Sequence, residues 1–208
     1  MANRGHLIVL QLILMYEELK KAKVTARTLS PICIFVDTLC ESMTFSDLTA
    51  LVYHDEPVFD DPVVRMPYNN QYNGVNWNTS RTSSDWDLWS IGMMTLEVIV
   101  GTELVLPLHT HECVESLMAD IRAHIPGPTH QLLTDMLFHV RDDQALINSK
   151  SDFFKTIYKF EEAINSIENA KMGNSIIKRR VETFKAYAQD HEKELDEAYH
   201  WNPNLENN

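Results

Sequence analysis

Cysteine and glycine are both scarce in this sequence, and each scarcity argues against a class of site. The three cysteines, Cys33, Cys40 and Cys113, form no CxxC pair among the 208 residues. This pattern indicates free thiols in a reducing compartment rather than a disulfide framework. The six glycines form no Gly-rich loop of the kind that holds the phosphates of a nucleotide.

Basic residues are also in short supply, with 18 lysines and arginines against 30 acidic residues and a net charge of −12. We therefore expect no nucleic-acid partner, because a nucleic-acid backbone requires a basic surface. The most apolar stretch carries three acids and is shorter than the roughly twenty residues that a membrane span needs. The run Leu7–Tyr16 is similar to a signal peptide, but it contains Gln11 and leads into Glu17 and Glu18. We predict a buried helix there and no membrane span.

That most apolar stretch, Asp85–Gly101, is the best-defined element of the sequence. It reads DWDLWSIGMMTLEVIVG and is apolar on almost every side. A helix without a broad polar face belongs in the middle of a domain. Gly101 is suited to end it, because glycine readily adopts a left-handed cap.

Within this stretch, Asp87-x-Trp89-Ser90-x-Gly92 followed by Glu97 resembles the central helix F of the large lobe of protein kinases. The resemblance implies that Asp87 accepts hydrogen bonds from the backbone of the catalytic loop. It also implies that Gly92 allows another segment to pack closely, so that Asp87, Trp89 and Gly92 are structural residues. The alternative is a buried helix of an unrelated all-α protein.

The residues before this helix extend the resemblance. Residues 5–22 read as a helix that corresponds to helix E. Residues 24–37 resemble the kinase catalytic loop, His-Arg-Asp-Leu-Lys-Pro-x-Asn, and the strand that follows it. Arg27, Leu29 and Pro31 match scaffold positions of that pattern, and Arg27 is expected to be structural.

The residues that perform chemistry in kinases are replaced here. Thr28 stands at the catalytic aspartate position and Cys33 at the metal-binding asparagine position. A threonine hydroxyl cannot take up a proton at neutral pH as a carboxylate does, and cysteine lacks the oxygen that Mg²⁺ prefers. Asp47 aligns with the metal-binding aspartate of the kinase Asp-Phe-Gly segment, although such an aspartate is also a common turn residue. We expect no catalytic residue, no bound metal and no cofactor.

Residues 50–84 correspond to the kinase activation segment and read as loop. Met66-Pro67-Tyr68 stands where kinases carry Ala-Pro-Glu, and Gln144 aligns with the arginine that pairs with that glutamate. Both members of the ion pair are thus replaced together, which avoids a single buried, unpaired charge.

The rest of the chain is predicted to be helical, at about residues 112–124, 129–139 and 151–168, in the order of helices G, H and I. We therefore predict a mainly α fold, with a kinase-like large lobe over residues 1–168. Residues 169–208 would form a C-terminal helical extension and a polar tail. The sequence contains no ATP-positioning strand lysine and no helix C glutamate, so we expect the small lobe to be absent from this chain.

Two features of the C-terminal half of the chain suggest a metal site or a partner-binding site. His109, His111 and Cys113 are close in sequence, but neighbouring residues in a loop rarely complete a zinc site without a fourth ligand elsewhere. Residues 174–199 lack proline and glycine and repeat apolar positions at alternating steps of four and three, as in a heptad seam. This helix either packs along its own domain or docks a partner. The seam comprises Ile177, Val181, Phe184, Ala188, His191, Leu195 and Ala198, of which we assign Ile177, Val181, Phe184 and Leu195 to partner binding.

Together these patterns predict a catalytically inactive, kinase-like scaffold or structural subunit. Its partners would be other protein subunits of a larger cytoplasmic or cytoskeletal assembly. One alternative is an atypical phosphotransferase whose small lobe is a separate chain, with Asp47 as a metal ligand. Another alternative is an all-helical assembly subunit without kinase ancestry.

Overall fold

The structure is a computed structural model that describes residues 4–27, 29–37, 42–45, 51–54, 72, 84–108, 110–138 and 143–190. It is mainly helical, which confirms the predicted fold class at that level. In chain order the elements are α1 (Gly5–Ala22), β1 (Val24–Thr25), β2 (Ile34–Val36), β3 (Met43–Phe45), β4 (Val52–Tyr53), α2 (Ser84–Val100), α3 (Thr102–Val105), α4 (His111–Ile121), α5 (Gly127–Leu137), α6 (Asp143–Thr156), α7 (Phe160–Met172) and α8 (Ile176–Asp190).

Helix α2 lies at the centre of the hydrophobic core, as its sequence predicts. Every residue from Trp86 to Val100 is buried except Glu97 and Val98, which are half-buried. Helices α1, α3, α5 and α7 all pack against α2. Among the described residues, none of the helices combines the length and apolarity that crossing a bilayer requires.

Four short strands form two antiparallel ladders on either side of the loop at residues 26–33. Strand β1 pairs with β4, and β2 pairs with β3. Lys23 ends α1 in the left-handed conformation, and its carbonyl oxygen accepts the N–H of His54 at 2.9 Å. A 3₁₀ turn at Pro31–Cys33 leads directly into β2. The loop therefore has both ends held by strand pairing.

The prediction of one continuous helix at residues 151–168 is wrong. Helix α6 ends at Thr156, a 3₁₀ turn occupies Ile157–Lys159, and α7 begins at Phe160. Phe153 and Phe160 are both fully buried, with ring centroids 6.0 Å apart in an edge-to-face arrangement. The change of direction between the two helices accommodates both rings in the core.

Helix α8 is shorter in the described structure than predicted, because residues 191–199, including Leu195, lie outside the described residues. Ile177 is fully buried and Val181 is 7% exposed, and both belong to the same core cluster as α2. Helix α8 packs on α7, α3 and α4, where Arg180 donates to Asp120 at 2.7 Å. The assignment of Ile177 and Val181 to a partner is therefore corrected, because their side chains are covered by the chain itself.

Phe184 is half-buried in α8, so it retains some accessible surface. Helix α7 runs across residue 168, where the sequence analysis places the end of the large lobe. The first turns of α8 thus continue the same packed body rather than begin a separate one.

Candidate functional site

Asp87 joins the central helix to the loop at residues 26–33. Its side chain is 1% exposed, and its two carboxylate oxygens accept the N–H groups of Ala26 at 2.8 Å and Arg27 at 3.1 Å. These are the hydrogen bonds that the sequence analysis expects of this aspartate. Burial raises the pKa of Asp87 to about 7, and the two backbone hydrogen bonds only partly oppose that rise.

Arg27 has the backbone conformation that this contact requires. Its φ of 64° lies in the left-handed region, which is uncommon for a residue other than glycine. Successive N–H groups converge on one acceptor when the chain turns in this way. Arg27 is also 7% exposed, so its backbone and side chain are both enclosed by the fold.

Of the three positions that align with catalytic or metal-binding residues of kinases, the structure describes Cys33. Thr28 and Asp47 lie outside the described residues. Cys33 is the last residue of the 3₁₀ turn, and the hydroxyl of Ser30 donates to its Sγ at 3.6 Å. A half-buried thiol at this place is a poor ligand for Mg²⁺, which prefers oxygen.

Trp89 and Gly92 connect α2 to the helices that follow it. The Trp89 ring stacks on His111 at 5.2 Å and meets Phe138 edge-on at 6.5 Å. A Cβ added to Gly92 would lie 2.8 Å from Leu137 Cδ2 and 3.0 Å from Met136 Cβ. A side chain at this position would press on Leu137 and Met136, so glycine favours the close approach of α2 and α5.

The His111 ring packs in this aromatic cluster. The sequence analysis considered it as a zinc ligand together with His109 and Cys113. The ring contacts Phe138 edge-on at 5.0 Å as well as Trp89. Cys113 lies in the first turn of α4, where its N–H donates to the Thr110 hydroxyl, and His109 lies outside the described residues. Within the described ranges, no three His, Cys, Asp or Glu side chains are grouped to hold a metal ion.

A contact that the sequence analysis missed attaches Tyr72 to α2. The Tyr72 hydroxyl donates to Glu97 Oε2 at 2.5 Å, and its carbonyl oxygen accepts the Ser90 hydroxyl at 2.6 Å. Glu97 also accepts the hydroxyl of Thr102 at 2.8 Å. Ser90 and Glu97 are two of the few polar residues in a mostly apolar helix, and that polarity was the available signal. Their partner could not be read from spacing, because Tyr72 lies 18 residues before Ser90 and 25 residues before Glu97.

Gln144 does not occupy the buried position that the alignment gives it. It is exposed in the first turn of α6 and donates to Asn148 at 3.1 Å. Tyr68, the other member of the replaced pair, lies outside the described residues.

Comparison of the chain with protein-family models, with curated proteins and with solved structures found no match. The activity must therefore be inferred from the geometry around α2 and the loop at residues 26–33.

Proposed function

We propose that this chain is a kinase-like large lobe without phosphotransfer chemistry, which acts as a scaffold or structural subunit. The observation that carries the proposal is the buried Asp87 carboxylate, which holds the Ala26 and Arg27 N–H groups. The resemblance implies this contact between helix F and the catalytic loop.

The order of elements around Asp87 supports the same proposal. Helix α1, which buries one face in the core, precedes the loop at residues 26–33, and the strand β2 follows it. The central helix α2 then begins at Ser84. Each of these elements has the place in the chain that the resemblance to helices E and F implies.

The lack of chemistry is inferred from replaced residues. With Thr28 at the catalytic position and Cys33 at a metal position, the loop has neither the carboxylate base nor the oxygen ligand of a kinase. Phosphoryl transfer needs these groups together with bound Mg²⁺, because catalysis depends on their joint positioning. Asp47 alone could not replace them.

The role in protein contacts is supported by an apolar surface beside this loop. Ile32 and Phe35 are each 66% exposed, and Val36 is 39% exposed. Large exposed apolar side chains are common at protein interfaces. Ile32 lies in the 3₁₀ turn that ends the loop at residues 26–33, and Phe35 and Val36 lie in β2, on opposite sides of the strand.

The test is the apparent size, in native material, of the complex that contains this chain. A tagged full chain should elute well above its own 24.0 kDa, with other proteins at fixed stoichiometry. A chain that elutes alone would contradict the proposed role. Turnover of Mg-ATP in a mixture with a kinase-type small-lobe protein would instead support the phosphotransferase alternative.

A further inference from the structure

Helix α8 has an outer face, opposite the seam that it buries against α7, α3 and α4. Residues of this face follow one another at steps of three and four along the helix, so their side chains are neighbours. All six are exposed: Ile176, Arg179, Glu182, Thr183, Ala186 and Tyr187. The chain itself covers Ile177 and Val181 of the opposite seam. The outer face is therefore the part of α8 that is accessible to a partner.

The charges on this face are not all matched within the chain. Arg180 forms an ion pair with Asp120 at 2.6 Å. Among the described residues, no carboxylate pairs in this way with Arg179, which is exposed beside it. Glu182 lies 3.8 Å from Lys178, in a solvent-exposed i,i+4 pair that contributes little to stability. The face thus presents an unmatched positive charge three residues before an accessible negative charge.

The positions of these residues are self-complementary. A two-fold axis midway between Val181 and Glu182 sets two α8 helices antiparallel. Ile176 and Tyr187 lie equally far from that midpoint, so each Ile176 side chain meets the ring of Tyr187 of the partner subunit. Arg179 then lies about two residues, roughly 3 Å, along the axis from Glu182 of the partner subunit, an offset that a long side chain spans. The symmetry forms each contact twice.

We propose that the outer face of α8 binds a second copy of the same chain, in an antiparallel pair of α8 helices. The contacts at the two ends are apolar and aromatic, and those near the axis join opposite charges. Thr183 and Ala186 are small, so they allow the helix axes to approach to about 8–10 Å. One pair of helices is at the small end of protein interfaces, so we expect a reversible dimer. The proposal concerns this chain alone and does not depend on the scaffold function.

The experiment is sedimentation equilibrium of the purified full chain at physiological salt, where charges more than about 8 Å apart are screened. The average mass should rise with concentration from 24.0 kDa towards twice that value. Arg179→Glu and Glu182→Arg should each raise the dimer Kd about tenfold or more, because each brings like charges together twice in the dimer. Both positions are exposed, so the variants should fold, and circular dichroism reports this directly.

An equal mixture of these two variants is the sharpest arm of the experiment. Each variant alone should be mostly monomeric at a concentration where the unaltered chain is dimeric. The mixture should form a dimer with a Kd close to that of the unaltered chain, because opposite charges then face each other across the pair. A loss of folding in either variant cannot produce this recovery.

The matched control is Lys155→Glu on α6. The Lys155 side chain is 69% exposed and pairs with an acid three residues away, so the variant reverses a positive charge outside α8. Its Kd should equal that of the unaltered chain. A chain that stays monomeric at every concentration would overturn the proposal. So would equal weakening by the control, or a mixture of the two variants that stays monomeric. These results leave the presence of other proteins in the native complex unaffected, so the two proposals can fail separately.

Discussion

The buried carboxylate of Asp87 should dominate the stability of the region around α2. Asp87→Ala removes the acceptor of two buried N–H groups, those of Ala26 and Arg27. A buried donor left without a partner costs about 1–3 kcal/mol, so the variant should lose about 2–6 kcal/mol at pH 5. Urea unfolding followed by circular dichroism measures this directly. The control is Asp152→Ala, an exposed aspartate whose loss should cost within about 0.5 kcal/mol.

The pH dependence of the same residue has a definite sign. Burial raises the pKa of Asp87 from 3.8 to about 7, so between those values the folded state holds a proton that the unfolded state has lost. Its contribution to stability is therefore complete below about pH 4 and falls as the pH rises to 7. At 1.36 kcal/mol for each pKa unit the fall is at most about 4 kcal/mol.

Asp87→Asn isolates this contribution, since asparagine cannot titrate and keeps one acceptor oxygen. The difference in stability between the unaltered chain and this variant should shrink by a few kcal/mol from pH 4 to pH 8. Parallel pH profiles for the two proteins would refute the linkage. A cost of Asp87→Ala within about 0.5 kcal/mol at pH 5 would refute the buried hydrogen bonds themselves.

Three further substitutions, two of them with a matched control, test contacts between the helices. Gly92→Ala should cost about 1–3 kcal/mol of stability by overpacking against α5. Its control is Gly127→Ala, which has open space around it and should be neutral or slightly stabilising. Equal effects of the two variants in urea melts would contradict the close approach of α2 and α5. Ile177→Ala should cost about 2–5 kcal/mol because the side chain is fully buried. The adjacent Ile176→Ala, at a 51% exposed position, should cost under about 1 kcal/mol, and the reverse order would mean that α8 does not pack as described. Lys171→Met breaks the ion pair between Lys171 of α7 and Glu103 of α3. The free energy of unfolding should fall by about 1 kcal/mol, and by less in 1 M salt. A loss of stability that does not depend on salt would exclude an electrostatic origin.

The sequence was most informative where one physical signal dominated. Helix α1 was predicted at 5–22 and observed at Gly5–Ala22, since an apolar run that ends in lysines has clear limits. Helix α2 was predicted from residue 85 and begins at Ser84. Its apolar residues on every side required a central position, and the resemblance supplied the partner of Asp87.

Other features depend on contacts that have no local signal. The β1–β4 ladder involves two residues on each strand, too few for an alternating pattern to be recognised. The break between α6 and α7 contains neither proline nor glycine, and it follows from the packing of Phe153 against Phe160. The histidine at 111 suggested a metal ligand by its neighbours in sequence, but its place beside Trp89 is a property of the folded chain.

The prediction that this chain has no functional nucleotide site is tested most directly by thermal unfolding with millimolar Mg-ATP. A ligand that binds only the folded state at a hundredfold excess over its Kd adds about 2.7 kcal/mol, which would raise the Tm of a chain this size by roughly 5–10 °C. We predict no change in Tm, because Thr28 and Cys33 replace the catalytic and metal-binding residues. A rise of several degrees that disappears in Asp47→Ala would contradict the account and establish a working metal and nucleotide site.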